Sequence, residues 1–347
     1  MKKIFKAGWV ILALGAVLAI VGAAFNGVKA VEFNGFKVQT VKKDTAITKT
    51  YAKKEFERIE FVNGSGYFVP MELEIRQGQD YSVSYSGSSR FEPKIDYQNG
   101  TLKVARGQEM HGFSFDLNNY RSKIDSKLII TVPENVKLSF VKVNGNYDNI
   151  KLEKLNIATL ELEANSSEKL SLNEVTTERT DIDMNTDEVT LTNSKLNNGE
   201  LSLVADLVVS GGELTNINVK VDSEGRVYYK DGLVLNGGGT QLADEVYGYE
   251  SDDDNDADND SDYADNSEPN AELDADTITI KGKYEIKNNT GVTRIMNATV
   301  QGYRLTNKHG KNNLHDQQQT NGGTLEENAD QADVLTLSSR IGENTVK

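Results

Sequence analysis

The chain contains no cysteine. That excludes disulfides, thiolate zinc sites and cysteine nucleophiles, and it removes the cysteine a lipoprotein anchor would need. Histidine is nearly as scarce, at three residues: His111, His309 and His315. All three fall in segments that read as loops, and none has thiolate or carboxylate neighbours at a zinc-ligand spacing. A broad basic field is also missing. Glu250–Asp276 carries 13 acidic residues and no lysine or arginine, and setting it aside moves the net charge from −15 to −2. A remainder so nearly balanced has no electrostatic footprint for nucleic acid.

What the chain does have begins at residue 7. Lys2, Lys3 and Lys6 precede an uncharged, mostly apolar run from Ala7 to Phe25. As a helix this run reaches about 28 Å, close to the thickness of a hydrocarbon core. Lysines before the run hold the N-terminus in the cytoplasm, so the remainder is expected outside, with Trp9 near the inner interface. The competing reading is a secretory signal peptide, whose apolar region is shorter, about 7–15 residues. Val28-Lys29-Ala30 would then be the cleavage site, and the protein would be secreted.

The most informative pattern is a repeat between Ile150 and Val221. Each copy is an aliphatic pair, a lone aliphatic and a second pair: Ile150/Leu152, Leu155, Leu160/Leu162, then Leu170/Leu172, Val175, Ile182/Met184. Val189/Leu191, Leu196, Leu201/Leu203 and Leu207/Val209, Leu214, Val219/Val221 follow. One residue splits each pair, which is the alternation of a short strand with one buried face. A lone strand cannot bury that face, whereas copies stacked on one another build a continuous core. The pattern predicts an all-β chain, a single-stranded β-solenoid behind an N-terminal transmembrane helix. Leu172, Leu191 and Val209 should form one inward column, and Leu162, Met184, Leu203 and Val221 another.

Around the repeat the chain divides as follows. Residues 1–30 are the lysine-rich start and anchor, and 31–55 read as a juxtamembrane stalk. Its Lys42, Lys43, Lys53 and Lys54 suit a solvated linker or contact with anionic lipid or wall polymer. Residues 56–247 form the solenoid. Within it, Tyr67-Phe68-Val69 should end at Pro70, Asn99-Gly100 is a hairpin turn, and Leu128–Val132 is closed by Pro133. Residues 248–276 form an acidic, low-complexity loop with too little apolar surface to offset ordering entropy. Residues 277–347 carry further strands around a polar loop at 308–332. They are either more solenoid turns or a separate small β-domain.

Tyr81–Gly87, Pro93–Val104 and Lys127–Pro133 leading into short-strand repeats resemble the bacterial putative-adhesin family, which includes LiaG/YvlB-like cell-envelope proteins. The resemblance covers roughly residues 56–235 and extends to the chain end at Val334–Gly342. It implies an exported or membrane-anchored β-solenoid, often linked to envelope stress. It carries over no catalytic residue, and the long acidic insert departs from its usual pattern.

No residue is assigned a catalytic, cofactor-binding or metal-ligating role. Gly64-Ser65 and Gly87-Ser88 lack the strand-to-helix context of a nucleophile elbow and read as turns. Asp252–Asp262 alternates Asp with Asn like half a calcium loop, yet lacks the glycine and final glutamate an EF-hand needs. Asp181, Asp183 and Glu200, with Arg179 nearby, share an outward face where two carboxylates could serve glycoside hydrolysis. Outward polar residues are equally what any solvated solenoid presents. Tyr228, Tyr229, Tyr247 and Tyr249, with Tyr67, Tyr81 and Tyr85, either stack on sugars or bury their rings with wet hydroxyls. The expected function is a surface-exposed, non-catalytic adhesin-like envelope protein. Its partners would be the membrane and a wall polymer, host glycan or envelope protein. An accessory or sensor protein of the envelope-stress response is the first alternative, and a carbohydrate-active β-helix enzyme the second.

Overall fold

A computed structural model describes residues 31–34, 37–40, 44–62, 68–105, 114–115, 124–222, 225–242 and 271–347, with Leu12, Gly15 and Val17 as helical positions. The anchor expected at Ala7–Phe25 otherwise lies outside the described residues. So do His111, Gly64-Ser65, Tyr67, Tyr247, Tyr249 and the acidic run Asp252–Asp262. Among the described residues no helix is long and apolar enough to cross a membrane.

Stacked turns make up most of the described residues. The strands Asn156–Asn173, Thr176–Thr192 and Lys195–Ser210 each run the length of one turn and pair in parallel with the next. In the turn holding Thr176–Thr192, Val175, Thr177, Thr180, Ile182, Met184, Thr186, Val189 and Leu191 face inward. The inward alternation breaks at 178–179, at 187–188 and again after Leu191, where the chain bends. Left-handed residues recur at this last corner: Lys154, Glu174 and Asn193, with φ of 54°, 54° and 48°. Gly211 takes the same place one turn on, where its amide donates to the Lys230 carbonyl.

The core is a set of columns running along the stack. Ile130, Ile75, Leu152, Leu172, Leu191, Val209, Tyr229, Ala275, Ile295, Val346 and Leu314 are successive ladder partners, all buried. The predicted Leu172–Leu191–Val209 column is thus one stretch of a longer one. The second predicted column is half right. Met184, Leu203 and Val221 are partners, but Leu162 pairs with Ile182, and Ala164 stands opposite Met184. The inward position opposite Leu160 is filled by Thr180, whose hydroxyl bonds Thr177 Oγ1 at 2.7 Å.

Both ends of the stack are threaded out of chain order. At one end, Phe68–Gly78 lies between Lys127–Pro133 and Asn146–Glu153. At the other, Val334–Ser339 lies between Lys283–Asn288 and Gly302–Asn307, and Glu343–Val346 lies between Val292–Met296 and Lys311–Leu314. Residues 277–347 therefore continue the solenoid. Antiparallel strands close the ends: Ala46–Thr50, Ser82–Ser88 and Lys94–Gln98 at one, Gln317–Gln319 and Gly323–Glu327 at the other. Lys49, Lys94, Glu326 and Glu327 place charges on these edge strands, which discourages further strand pairing.

The structure corrects several expectations. The stalk at 31–55 includes Ala46–Thr50, which pairs with Ser82–Ser88. Lys53 bonds Asp80 at 3.1 Å, and Lys54 lies 5.2 Å from the centre of the Tyr97 ring. The polar stretch 308–332 is not a loop. Three short strands form there, because backbone pairing at a capped end needs no apolar alternation. The last residues of the 248–276 segment, Glu272–Asp276, form a strand with Leu273 and Ala275 buried. Pro70 sits inside Phe68–Gly78 and does not end it. The ladder with Asn146–Glu153 slips there, between Tyr147 and Asn149, so a proline is tolerated at the irregularity. Gly87-Ser88 is the end of a strand, with Ser88 buried and its hydroxyl donating to Asp44 Oδ1 at 2.6 Å. Asn99-Gly100 is the expected hairpin turn, with φ of 49° and 73°.

Candidate functional site

Because the inward columns are filled, chemistry falls to the outward rows. Successive turns place outward residues side by side, about 4.8 Å apart. One row runs Lys142, Glu161, Asp181, Glu200, Asn218, and the row beside it runs Asn144, Glu163, Asp183, Ser202, Lys220. Asp181, Asp183 and Glu200 are therefore brought together as the sequence predicted, and Arg179 lies two residues before Asp181 on the same exposed strand face.

The sequence reading missed the rest of this shelf. Glu161 and Glu163 extend it by one turn, and lysines bracket it. Lys142 Nζ lies 2.9 Å from Glu161 Oε2, and Lys220 Nζ 2.8 Å from Glu200 Oε1. Asn144 Nδ2 donates to Glu163 Oε2 at 2.7 Å. The bond to Glu161 raises the pKa of Lys142. A small cavity of about 180 Å³ is lined by Lys142, Val143, Glu161, Leu162, Glu163, Asp181 and Asp183. The signal that could have found these partners is the ladder register itself, once Thr180 is read as an inward residue.

The tyrosines divide. Tyr229 and Tyr85 are buried, and Tyr81 packs edge-on to Phe56 at 4.9 Å. Tyr229 and Tyr284 both bond Thr240 Oγ1, at 2.8 and 2.7 Å, inside the core. Burial pushes the Tyr284 hydroxyl up to about 12. Tyr228 stands outward and half-exposed, beside Val208 and Asp274. Of the histidines, His309 sits at a corner, where its amide bonds Asn307 Oδ1 at 3.1 Å. His315 has the carboxylate neighbour the sequence did not reveal: its Nδ1 lies 3.0 Å from Glu327 Oε2, and its ring meets Tyr303 edge-on. Among the described residues no cluster of three or more His, Asp or Glu side chains is arranged to hold a metal ion.

These stacked turns with outward polar rows define an all-β, solenoid-like class. Residues 69–228 match the Toastrack DUF4097 family model, inside the 56–235 span that resembled the putative-adhesin family. No curated protein matches the chain. Solved structures similar to it include a putative adhesin of Bacteroides fragilis, at 12% identity, covering 87% of this chain and 97% of that one, with a TM-score of 0.29. A putative adhesin of Parabacteroides distasonis is 11% identical, with coverage of 87% and 97% and a TM-score of 0.37. A putative cell adhesion protein of Clostridium sporogenes is 14% identical, with coverage of 88% and 99% and a TM-score of 0.20.

Proposed function

We propose that this chain is a membrane-anchored, surface-exposed, non-catalytic adhesin-like protein of the bacterial cell envelope. The observation that carries the reading is the outward face: rows of predominantly polar side chains at strand spacing along a stack whose interior is filled. Such a face contacts an extended polymer over many turns. The lysines before Ala7–Phe25 support the anchor and an exported solenoid. A wall polymer, a host glycan and an envelope protein all offer the extended shape the rows would meet.

The test is sedimentation of the purified chain with isolated cell walls and with defined glycans, with released reducing ends measured in parallel. The reading predicts retention without new reducing ends. Release of reducing ends that Asp181→Asn abolishes would make the carboxylate shelf catalytic and overturn it. Failure to be retained by any of these polymers would also contradict it.

A further inference from the structure

A cavity of about 290 Å³ lies away from the carboxylate shelf and is lined by Arg76, Gln77, Gly78, Thr131, Glu153 and Lys154. Thr131, Arg76 and Glu153 are successive members of one outward row. Gln77 and Gly78 continue the Arg76 strand, and Lys154 follows Glu153 at the left-handed corner. Gly78 holds the wall close: a Cβ there would come within 2.1 Å of Thr131 Cγ2.

The polar groups of this cavity are partly committed and partly open. Arg76 Nη1 bonds Glu74 Oε1 at 2.9 Å, which leaves the rest of a five-donor fork. Gln77 donates its Nε2 to the Glu134 carbonyl at 3.0 Å, so its Oε1 keeps acceptor capacity. Glu153 bonds Lys151 through Oε2 at 3.0 Å and has a second oxygen. Thr131 Oγ1 accepts from Ser82 and retains its own proton. Lys154 has no ion-pair partner among the described residues. Glu72, Glu74 and Glu153 are each answered by Lys127, Arg76 or Lys151, so none of them claims the Lys154 ammonium, and Glu174, which follows Asn173 on the next turn, forms no ion pair with it. The next turns do not repeat the arrangement: Glu153 and Lys154 give way to Asn173 and Glu174, then Thr192 and Asn193.

We propose that this cavity binds one anionic polyol unit, a sugar carboxylate or a polyol phosphate, with Arg76 and Lys154 on the anion and Glu153, Gln77 and Thr131 on hydroxyls. The lining suits that chemistry better than a bare multivalent anion, because Glu153 would repel dense negative charge while accepting hydroxyl protons. The volume is at the lower end of ligand pockets and admits a unit of monosaccharide size. The assignment rests on the binding reading above and supplies its ligand class. It does not depend on the anchor.

The test is calorimetric titration of the purified full chain with glucuronate, glycerol 1-phosphate, glucose and inorganic phosphate. Saturable one-site binding of glucuronate or glycerol 1-phosphate, about tenfold or more tighter than glucose, is expected for a charge-assisted site. Whichever binds identifies the anion as carboxylate or phosphate. Lys154→Asn keeps a residue that tolerates the left-handed corner and should weaken binding about tenfold with an unchanged melting midpoint. Lys169→Ala, which removes a lysine paired with Glu188 elsewhere, should leave binding intact. Absence of binding by both anionic polyols overturns the proposal. So does inorganic phosphate binding as tightly as either, or Lys154→Asn without effect. Wall retention with none of these probes bound would spare the broader binding reading and reject this site.

Discussion

Glu74 and Lys127 meet at 2.6 Å on the outward side of the sheet, and Glu74 is only 3% exposed. Its strand neighbour Arg76 lies 2.9 Å away, and Lys127 also reaches Glu72 at 2.9 Å. Cross-strand charges thus roof over a carboxylate that alternation turns away from the core.

That pair makes stability depend on pH in a stated direction. Burial alone would raise the Glu74 pKa, but the bonded Lys127 ammonium, with Arg76 and Lys151 nearby, holds it below the ordinary 4.5. A depressed folded pKa contributes stability that is complete above the unfolded value and is lost as pH falls through the folded one. Denaturant midpoints should therefore hold at neutral pH and drop on acidification below about 4.5. Glu74→Gln should cost about 1–3 kcal/mol at pH 7 and flatten that acid limb. An acid limb identical in variant and parent would contradict the assignment.

The inward columns predict a sharp contrast between neighbouring faces. Leu191 is 1% exposed between Leu172 and Val209, whereas Ser171 faces outward. Leu191→Ala should cost about 2–5 kcal/mol through the cavity it leaves. Ser171→Ala should stay within about 0.5 kcal/mol. Comparable losses in urea titrations of the two variants would show that the faces are assigned wrongly.

The threading at the C-terminal end predicts a separable terminal turn. Leu335 is buried between Tyr284 and Tyr303, its partners on the two flanking strands. Leu335→Asp would bury an unpaired carboxylate there, at a cost of several kcal/mol. Limited proteolysis should then cut within 302–327 first, while 156–210 stays protected. Simultaneous cleavage of both regions would mean that the stack opens as one unit.

The stack was legible in the sequence wherever aliphatic alternation is uninterrupted, as at Leu170-Ser171-Leu172 and Leu207-Val208-Val209. It became illegible where polar residues fill the core. Thr177 and Thr180 are buried because their hydroxyls bond each other, and Ser194 because its hydroxyl serves Val175 N and Leu172 O. Matching the aliphatic pair Leu160/Leu162 to the pair Ile182/Met184, with Thr180 left out of the pattern, is what set Leu162 against Met184. The threaded ends were hidden for a different reason. Strand order is set by which distant segment fills a slot, and no local pattern in Val334–Ser339 tells that Lys283–Asn288 and Gly302–Asn307 flank it. The shelf was partly visible through Asp181, Asp183 and Glu200. The cavity at Arg76 and Lys154 was not, since those residues meet only through the ladder between Phe68–Gly78 and Asn146–Glu153.

The central claim is an exported solenoid whose outward rows face the surroundings of the cell. The absence of cysteine allows a single reporter: Asn185→Cys, at an exposed position of the Thr176–Thr192 strand, introduces the chain's one thiol. A membrane-impermeant maleimide should label that thiol on intact cells, and the labelled protein should sediment with the membrane fraction. Labelling only after lysis would place the solenoid inside the cell and contradict the account.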